Sequence, residues 1–138
     1  MEEIQGDTIQ EIFRTCRTIA VVGASTNPAR PSNHVAEYMK AQGYRMIPVN
    51  PKETNILGES AYPSLGAIPD SIDLVDVFRK PEDVLPIVEE AIAKGAKAIW
   101  LQEGIVNEAA AARAKEAGLL VVMDRCWLKE HTARSNRG

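Results

Sequence analysis

Short, largely apolar runs recur along this chain at Thr18–Val22, Arg45–Val49, Leu74–Phe78, Ala98–Leu101 and Leu119–Met123. A strand buried on both faces reads as a continuous apolar run, whereas a half-exposed strand alternates. Helical patterns lie between these runs, over about Asn33–Gln42, Asp83–Lys94 and Glu108–Ala117. Strand–helix alternation of this kind predicts a parallel sheet with helices on both faces. The expected fold is therefore α/β: a Rossmann-like, doubly wound parallel sheet of about five strands. At 138 residues, one domain spanning 1–138 is expected. That length buries a core without disulfides.

Local signals refine the outline. Thr8 and Glu11 fit a capping box, with Ile9, Ile12, Phe13 and Cys16 at helical spacing behind it, which predicts a short leading helix. Thr54–Asp70 is expected to be irregular, punctuated by Gly58, Pro63, Gly66 and Pro69. Asp83 is placed to cap the next helix, which puts Pro86 in its first turn. Asn107 is placed to cap the alanine-rich helix. Cys126–His131 predicts a last helical turn, and the polar tail from Thr132 to 138 is expected to be mobile.

Composition excludes several classes of partner. The formal net charge of −3 gives no footing for nucleic acid or an anionic membrane. No apolar run approaches the length needed to span a bilayer. Met1-Glu-Glu-Ile-Gln-Gly lacks the basic and apolar regions of a signal peptide. Cys16 and Cys126, far apart, predict free thiols in a reducing cytoplasm. Two histidines and two cysteines without ligand spacing predict no metal site.

In an open parallel sheet the ligand lies across the carboxyl ends of the strands. The candidate stretches are therefore Gly23–Ser32, Asn50–Lys52, Phe78–Pro81, Gln102–Gly104 and Asp124–Cys126. The first is the most telling. Thr18-Ile-Ala-Val-Val-Gly23 runs through a polar loop into a helix that starts near Asn33. Unpaired amides at a helix start, with the helix dipole behind them, hold phosphate. Arg30 adds a guanidinium fork for phosphate oxygens.

Spacing does not single out the nucleotide. A dinucleotide fingerprint needs three glycines and a carboxylate closing the second strand. Here Ser25 and Pro28 occupy the later glycine positions, and the second strand ends in Asn50-Pro51-Lys52. No Gly-Lys-Ser or Gly-Lys-Thr of a phosphate-binding NTPase loop occurs. Lys52 suits a nucleotide with an extra phosphate near its ribose. Coenzyme A and NADP both carry one, so spacing leaves them open.

Val-Val-Gly-Ala-Ser25, Arg30-Pro-Ser-Asn33 and Gly43-Tyr-Arg-Met-Ile-Pro-Val-Asn-Pro51 resemble the small CoA-binding proteins of bacteria and archaea. Asp76-Val-Phe-Arg79, Gly95-Ala-Lys-Ala-Ile-Trp-Leu-Gln102 and Val122-Met-Asp-Arg-Cys126 extend the resemblance over nearly the whole chain. The domain is also similar to the N-terminal part of the succinyl-CoA synthetase α subunit, where Asn50-Pro51-Lys52 and Glu103-Gly104 have counterparts. That enzyme's phosphorylated histidine lies in a second domain, for which these 138 residues hold no counterpart. The resemblance thus implies CoA or short acyl-CoA binding, without the ligase chemistry.

The ligand-binding residues expected are Gly23, Ala24, Ser25, Asn27, Arg30, Pro31 and Ser32 on the first loop, with Asn50, Pro51 and Lys52 after the second strand. Phe78, Arg79, Gln102 and Gly104 complete the set. Pro31 and Ser32 are expected mainly to set the helix start. Phe78 suits either the core or the wall of an adenine pocket, and Trp100 suits the core. Cys126, beside Arg125, is the candidate thiol, because a neighbouring cation favours thiolate. No nucleophile elbow is present, and His34 has no partner in sequence. The leading expectation is a CoA-binding module, with more binder than enzyme in its residues. The alternative is an NADP-linked oxidoreductase or a CoA thiol/disulfide-handling enzyme that uses Cys126.

Overall fold

The computed structural model of the protein describes residues 2–135. Helix α1 (Glu2–Thr15) leads into β1 (Thr18–Val22), α2 (Pro31–Ala41) and β2 (Arg45–Val49). A short antiparallel pair, β3 (Asn55–Ile56) and β4 (Glu59–Ser60), precedes β5 (Leu74–Val77). Then come α3 (Val84–Lys94), β6 (Ala98–Leu101), α4 (Glu108–Glu116), β7 (Leu120–Met123) and α5 (Trp127–Ser135). The main sheet has the order β2-β1-β5-β6-β7, and every pairing in it is parallel.

The sheet is buried on both faces, as its continuous apolar strands require. Ala20, Val22, Val75, Val77, Ile99 and Leu101 meet Val84, Val88 and Ala91 of α3 and Ala110 and Ala114 of α4. The small alanines let α4 lie close to the strands. On the other face, Ile19, Val21, Leu74, Trp100 and Val122 meet Ile9 and Ile12 of α1, Val35 and Met39 of α2, and Trp127 of α5. Trp100 is a core residue as expected: it is fully buried, stacks on Phe13 with ring centroids 5.7 Å apart, and donates from Nε1 to the Arg125 carbonyl at 2.8 Å.

Several local expectations need correction. Thr8 does not start a helix, because α1 runs through it from Glu2 and carries Gly6 in its interior. Docking of Ile9 and Ile12 on the sheet outweighs the glycine's cost of about 1 kcal/mol. Asp83 does not cap α3. It ends a 3-10 turn over Pro81–Asp83 in helical conformation, makes no cap hydrogen bond, and pairs with Arg79 at 3.7 Å. Within Thr54–Asp70, the β3–β4 pair and a 3-10 turn over Leu65–Ala67 replace irregular chain. Thr132–Ser135, expected in a mobile tail, continue α5, where Arg134 pairs with Glu130 at 2.7 Å. Residues 136–138 of that tail lie outside the described residues. Asn107 does cap α4, accepting from the Ala110 amide at 2.9 Å.

The order of the main strands reverses between β1 and β5. The connection after β1 passes to the α2 face, and the one after β5 passes to the α3 face. The two loops diverge there and leave a crevice at the carboxyl edge of the sheet.

Candidate functional site

The loop after β1 is shaped by polar side chains behind it. Gly23 has φ +90°, and its amide donates to the Val49 carbonyl at 3.1 Å. The Asn50 side-chain amide, just past β2, donates to the Ala24 carbonyl at 2.8 Å. Asn33, buried in the first turn of α2, donates to the Ser25 carbonyl at 2.9 Å. In a trans peptide, C=O and N–H point in opposite directions. Anchoring these two carbonyls therefore turns the amides of Ser25 and Thr26 to the other side, where neither donates to any group among the described residues. Arg30 takes the extended cap position of α2, and Pro31, which has no N–H to leave unpaired, opens the helix.

A cleft of about 670 Å³ opens beside this loop, between it and the ends of β5, β6 and β7. The structure brings Gly23, Ala24, Ser25, Arg30, Pro31, Ser32, Asn50, Phe78, Arg79, Gln102 and Cys126 into its wall. Four expected residues lie outside that wall. Asn27 organises the loop, accepting from the Ala29 amide at 2.9 Å while its own amide donates to Ser25 Oγ at 3.0 Å. Pro51 and Lys52 are exposed just past β2. Gly104 has φ +87° and donates its amide to Asp124 Oδ1 at 2.7 Å, tying the loops after β6 and β7 together. Phe78 packs on the α2-side core, as one of its two expected parts has it, and also lines the cleft.

The wall also holds Lys80, Asp83, Glu103 and Ile105. Lys80 and Glu103 fall in the stretches picked out after the strands. Asp83 and Ile105 lie beyond them, and only the turn at Pro81–Asp83 and the loop before α4 bring them in. Asn33 was also missed. Its contact with Ser25 spans eight residues, and no local pattern signals it.

The electrostatics favour an anion near the first loop. Arg30 is exposed and has no ion pair among the described residues. Arg79 is only loosely held by Asp83 at 3.7 Å, and Glu103 is occupied by Lys129 at 2.9 Å. Arg125 does not face Cys126 as an unengaged cation, because Glu130 takes its guanidinium at 3.2 Å. Polar side chains sit deep in the cleft. Ser32 is 5% exposed and Gln102 4%. Gln102 Oε1 accepts from the Trp127 amide at 3.2 Å and so locks the start of α5 against the end of β6. Among the described residues, no group of three or more histidine, cysteine or carboxylate side chains is arranged to hold a metal ion.

Comparison with known proteins bears on the fold and the family. A solved structure of a hypothetical protein from Pyrococcus horikoshii OT3 superposes with a TM-score of 0.89 at 44% identity, covering 93% of this chain and 90% of that one. An uncharacterized protein of Bacillus subtilis is 43% identical over 123 residues, 89% of this chain and 91% of its own length. An ADP-forming acetate–CoA ligase of Archaeoglobus fulgidus is 31% identical over 96 residues. That match takes in 67% of this chain but only 14% of the ligase. Residues 17–132 match the family described as CoA binding domain, and the chain belongs to that family.

Proposed function

We propose that this protein binds coenzyme A, free or carrying a short acyl group, in the cleft at the carboxyl edge of its sheet. One observation carries the proposal: the anchored loop after β1, with its unengaged Ser25 and Thr26 amides and the unpaired Arg30 beside them, in a chain of the CoA-binding family. The CoA diphosphate would sit on Gly23–Ser32, at the start of α2, where amides and the helix dipole favour negative charge. Phe78 would flank the adenine. Asn50 would hold the loop in shape rather than touch the ligand by its amide, which is already engaged. Lys52, exposed beyond the cleft wall, would meet the 3′-phosphate where it projects toward solvent.

On this reading the cleft would hold and orient the ligand, and the protein would be a CoA-binding module of the cytoplasm rather than a ligase. No helix among the described residues is long and apolar enough to cross a membrane. Calorimetric titration of the purified protein with CoA, acetyl-CoA, NADPH and NADH tests the proposal. Binding of the two CoA species in the micromolar range or tighter, with the nicotinamide nucleotides at least about tenfold weaker, is the expected result. Tighter binding of NADPH than of CoA would replace this reading with the oxidoreductase one.

A further inference from the structure

We propose that Cys126 is a thiol–disulfide exchange site for the ligand itself, forming a mixed disulfide with CoA delivered as CoA disulfide. The inference rests on the CoA reading above and adds a covalent, redox-dependent state to the same cleft. Cys126 is half-buried and lines the cleft that also carries the Gly23–Ser32 loop. Two polar side chains in that cleft each carry a hydrogen-bonding group that is not used. The Ser32 hydroxyl and the Gln102 side-chain Nε2 make no hydrogen bond among the described residues, although both residues are more than nine-tenths buried. Neither atom is among the fully enclosed ones, so both face the cleft free to bond a ligand that supplies acceptors. The pantetheine arm of CoA supplies two amide carbonyls and then a thiol. Gln102 also fixes where that arm ends, since its Oε1 holds the amide of Trp127, the residue after Cys126, at 3.2 Å. The unengaged Gln102 amide and the Cys126 sulfur thus belong to one rigid corner.

The step balances as an exchange. The Cys126 thiol loses its proton and attacks one sulfur of CoA disulfide. The S–S bond of the reagent breaks, a Cys126–CoA disulfide forms, and one CoA thiolate leaves and takes up a proton. Cys126 is oxidised, and half of the reagent is reduced. Cys16 is not a competitor. It lies buried among Ile9, Ile12 and Ile19, where burial pushes its thiol pKa up and keeps it protonated.

Reduced protein is incubated with CoA disulfide or with glutathione disulfide, quenched, and read by intact mass and peptide mapping. The expected result is one CoA per chain on Cys126, removed by dithiothreitol and absent from Cys126→Ser. Labelling is expected to be at least about tenfold faster than with glutathione disulfide, because binding raises the local concentration of the reacting sulfur. Acetyl-CoA, which fills the cleft without a thiol, slows it. Equal rates with the two disulfides, labelling of Cys16, or no adduct overturns the proposal. Calorimetry with CoA on the same sample separates the failures. Binding without an adduct removes only the exchange site, whereas no binding removes the underlying CoA reading as well.

Discussion

Gly23 lies directly against the backbone of Phe78: a Cβ added at Gly23 would come 2.5 Å from the Phe78 carbonyl oxygen and 3.1 Å from its carbonyl carbon. Phe78 in turn donates its amide to the Val22 carbonyl at 2.8 Å, so the two chain segments cannot move apart without breaking the β1–β5 ladder. The φ of +90° adds a second reason for glycine here.

Gly23→Ala should therefore lower both stability and ligand affinity. Strain at a left-handed position costs of order 1–3 kcal/mol, and the clash with main chain adds to it. Thermal denaturation should show a drop of several degrees, and calorimetry a weaker CoA. A variant with unchanged melting and unchanged affinity would show that the loop tolerates a side chain there.

Arg30→Ala should weaken CoA about ten- to hundredfold. It removes a charge-assisted hydrogen bond of about 1.5–3 kcal/mol from an exposed cation that has no ion pair among the described residues to lose. Dephospho-CoA should suffer the same loss, because the contact is with the diphosphate. Lys52→Glu should instead weaken CoA more than dephospho-CoA. Calorimetry of both variants with both ligands separates the two roles, and equal losses at Lys52 would remove it from the 3′-phosphate.

Asp76 sits in the middle of β5, fully buried, and neither carboxylate oxygen has a hydrogen-bond partner among the described residues. Burial drives its pKa well above the ordinary carboxylate value. The folded state then holds a proton that the unfolded chain releases above the usual carboxylate range. Stability from this group falls as pH rises from that range through the folded pKa. Asp76→Val should flatten the loss and raise stability at pH 8, by about 1–3 kcal/mol, the cost of an unsatisfied buried polar group. Urea denaturation of both proteins at pH 5 and pH 8 checks it. A gain at pH 8 no larger than at pH 5 would contradict the assignment.

His131 works in the opposite direction. Its Nδ1 meets the Tyr38 hydroxyl at 2.7 Å, its Nε2 faces the Tyr44 hydroxyl at 3.3 Å, and its ring stacks on Trp127 with centroids 4.9 Å apart. Burial first, and then the Arg17 charge, push its pKa below the ordinary value. The unfolded chain therefore takes up a proton at higher pH than the folded one. Stability is full above the ordinary histidine pKa and falls as pH drops through that value toward the folded pKa. His131→Phe should remove this acid-side decline while keeping the stack on Trp127. Denaturation midpoints from pH 7 to 5 should be flatter for the variant, and parallel curves would rule the ring out as the source.

What local sequence legibly encodes here is the sheet. Thr18–Val22, Arg45–Val49 and Ala98–Leu101 were readable to the residue, because a strand buried on both faces must be continuously apolar. The cap at Asn107 was readable because its bond closes within three residues. The first loop and most of the cleft wall followed, since strand ends in a parallel sheet share one edge. The errors have the opposite cause. Thr8 and Glu11 carry a real capping pattern, yet docking of Ile9 and Ile12 on the sheet draws the helix back to Glu2. Asp83 has the chemistry of a cap, but the Pro81 turn gives it helical backbone and Arg79 draws its carboxylate. Arg125 neighbours Cys126 in sequence, yet pairs with Glu130 in space. The sequence alone determined the strands, their parallel order of burial and the edge on which a ligand would lie, all properties of short-range periodicity. Only the tertiary structure decided that Asn50 grips the Ala24 carbonyl and Asn33 the Ser25 carbonyl, that Gln102 seats the start of α5, and that Asp76 has no partner among the described residues. Those outcomes depend on directional contacts between segments far apart in the chain, and they form only when the packed sheet brings the partners within hydrogen-bond reach.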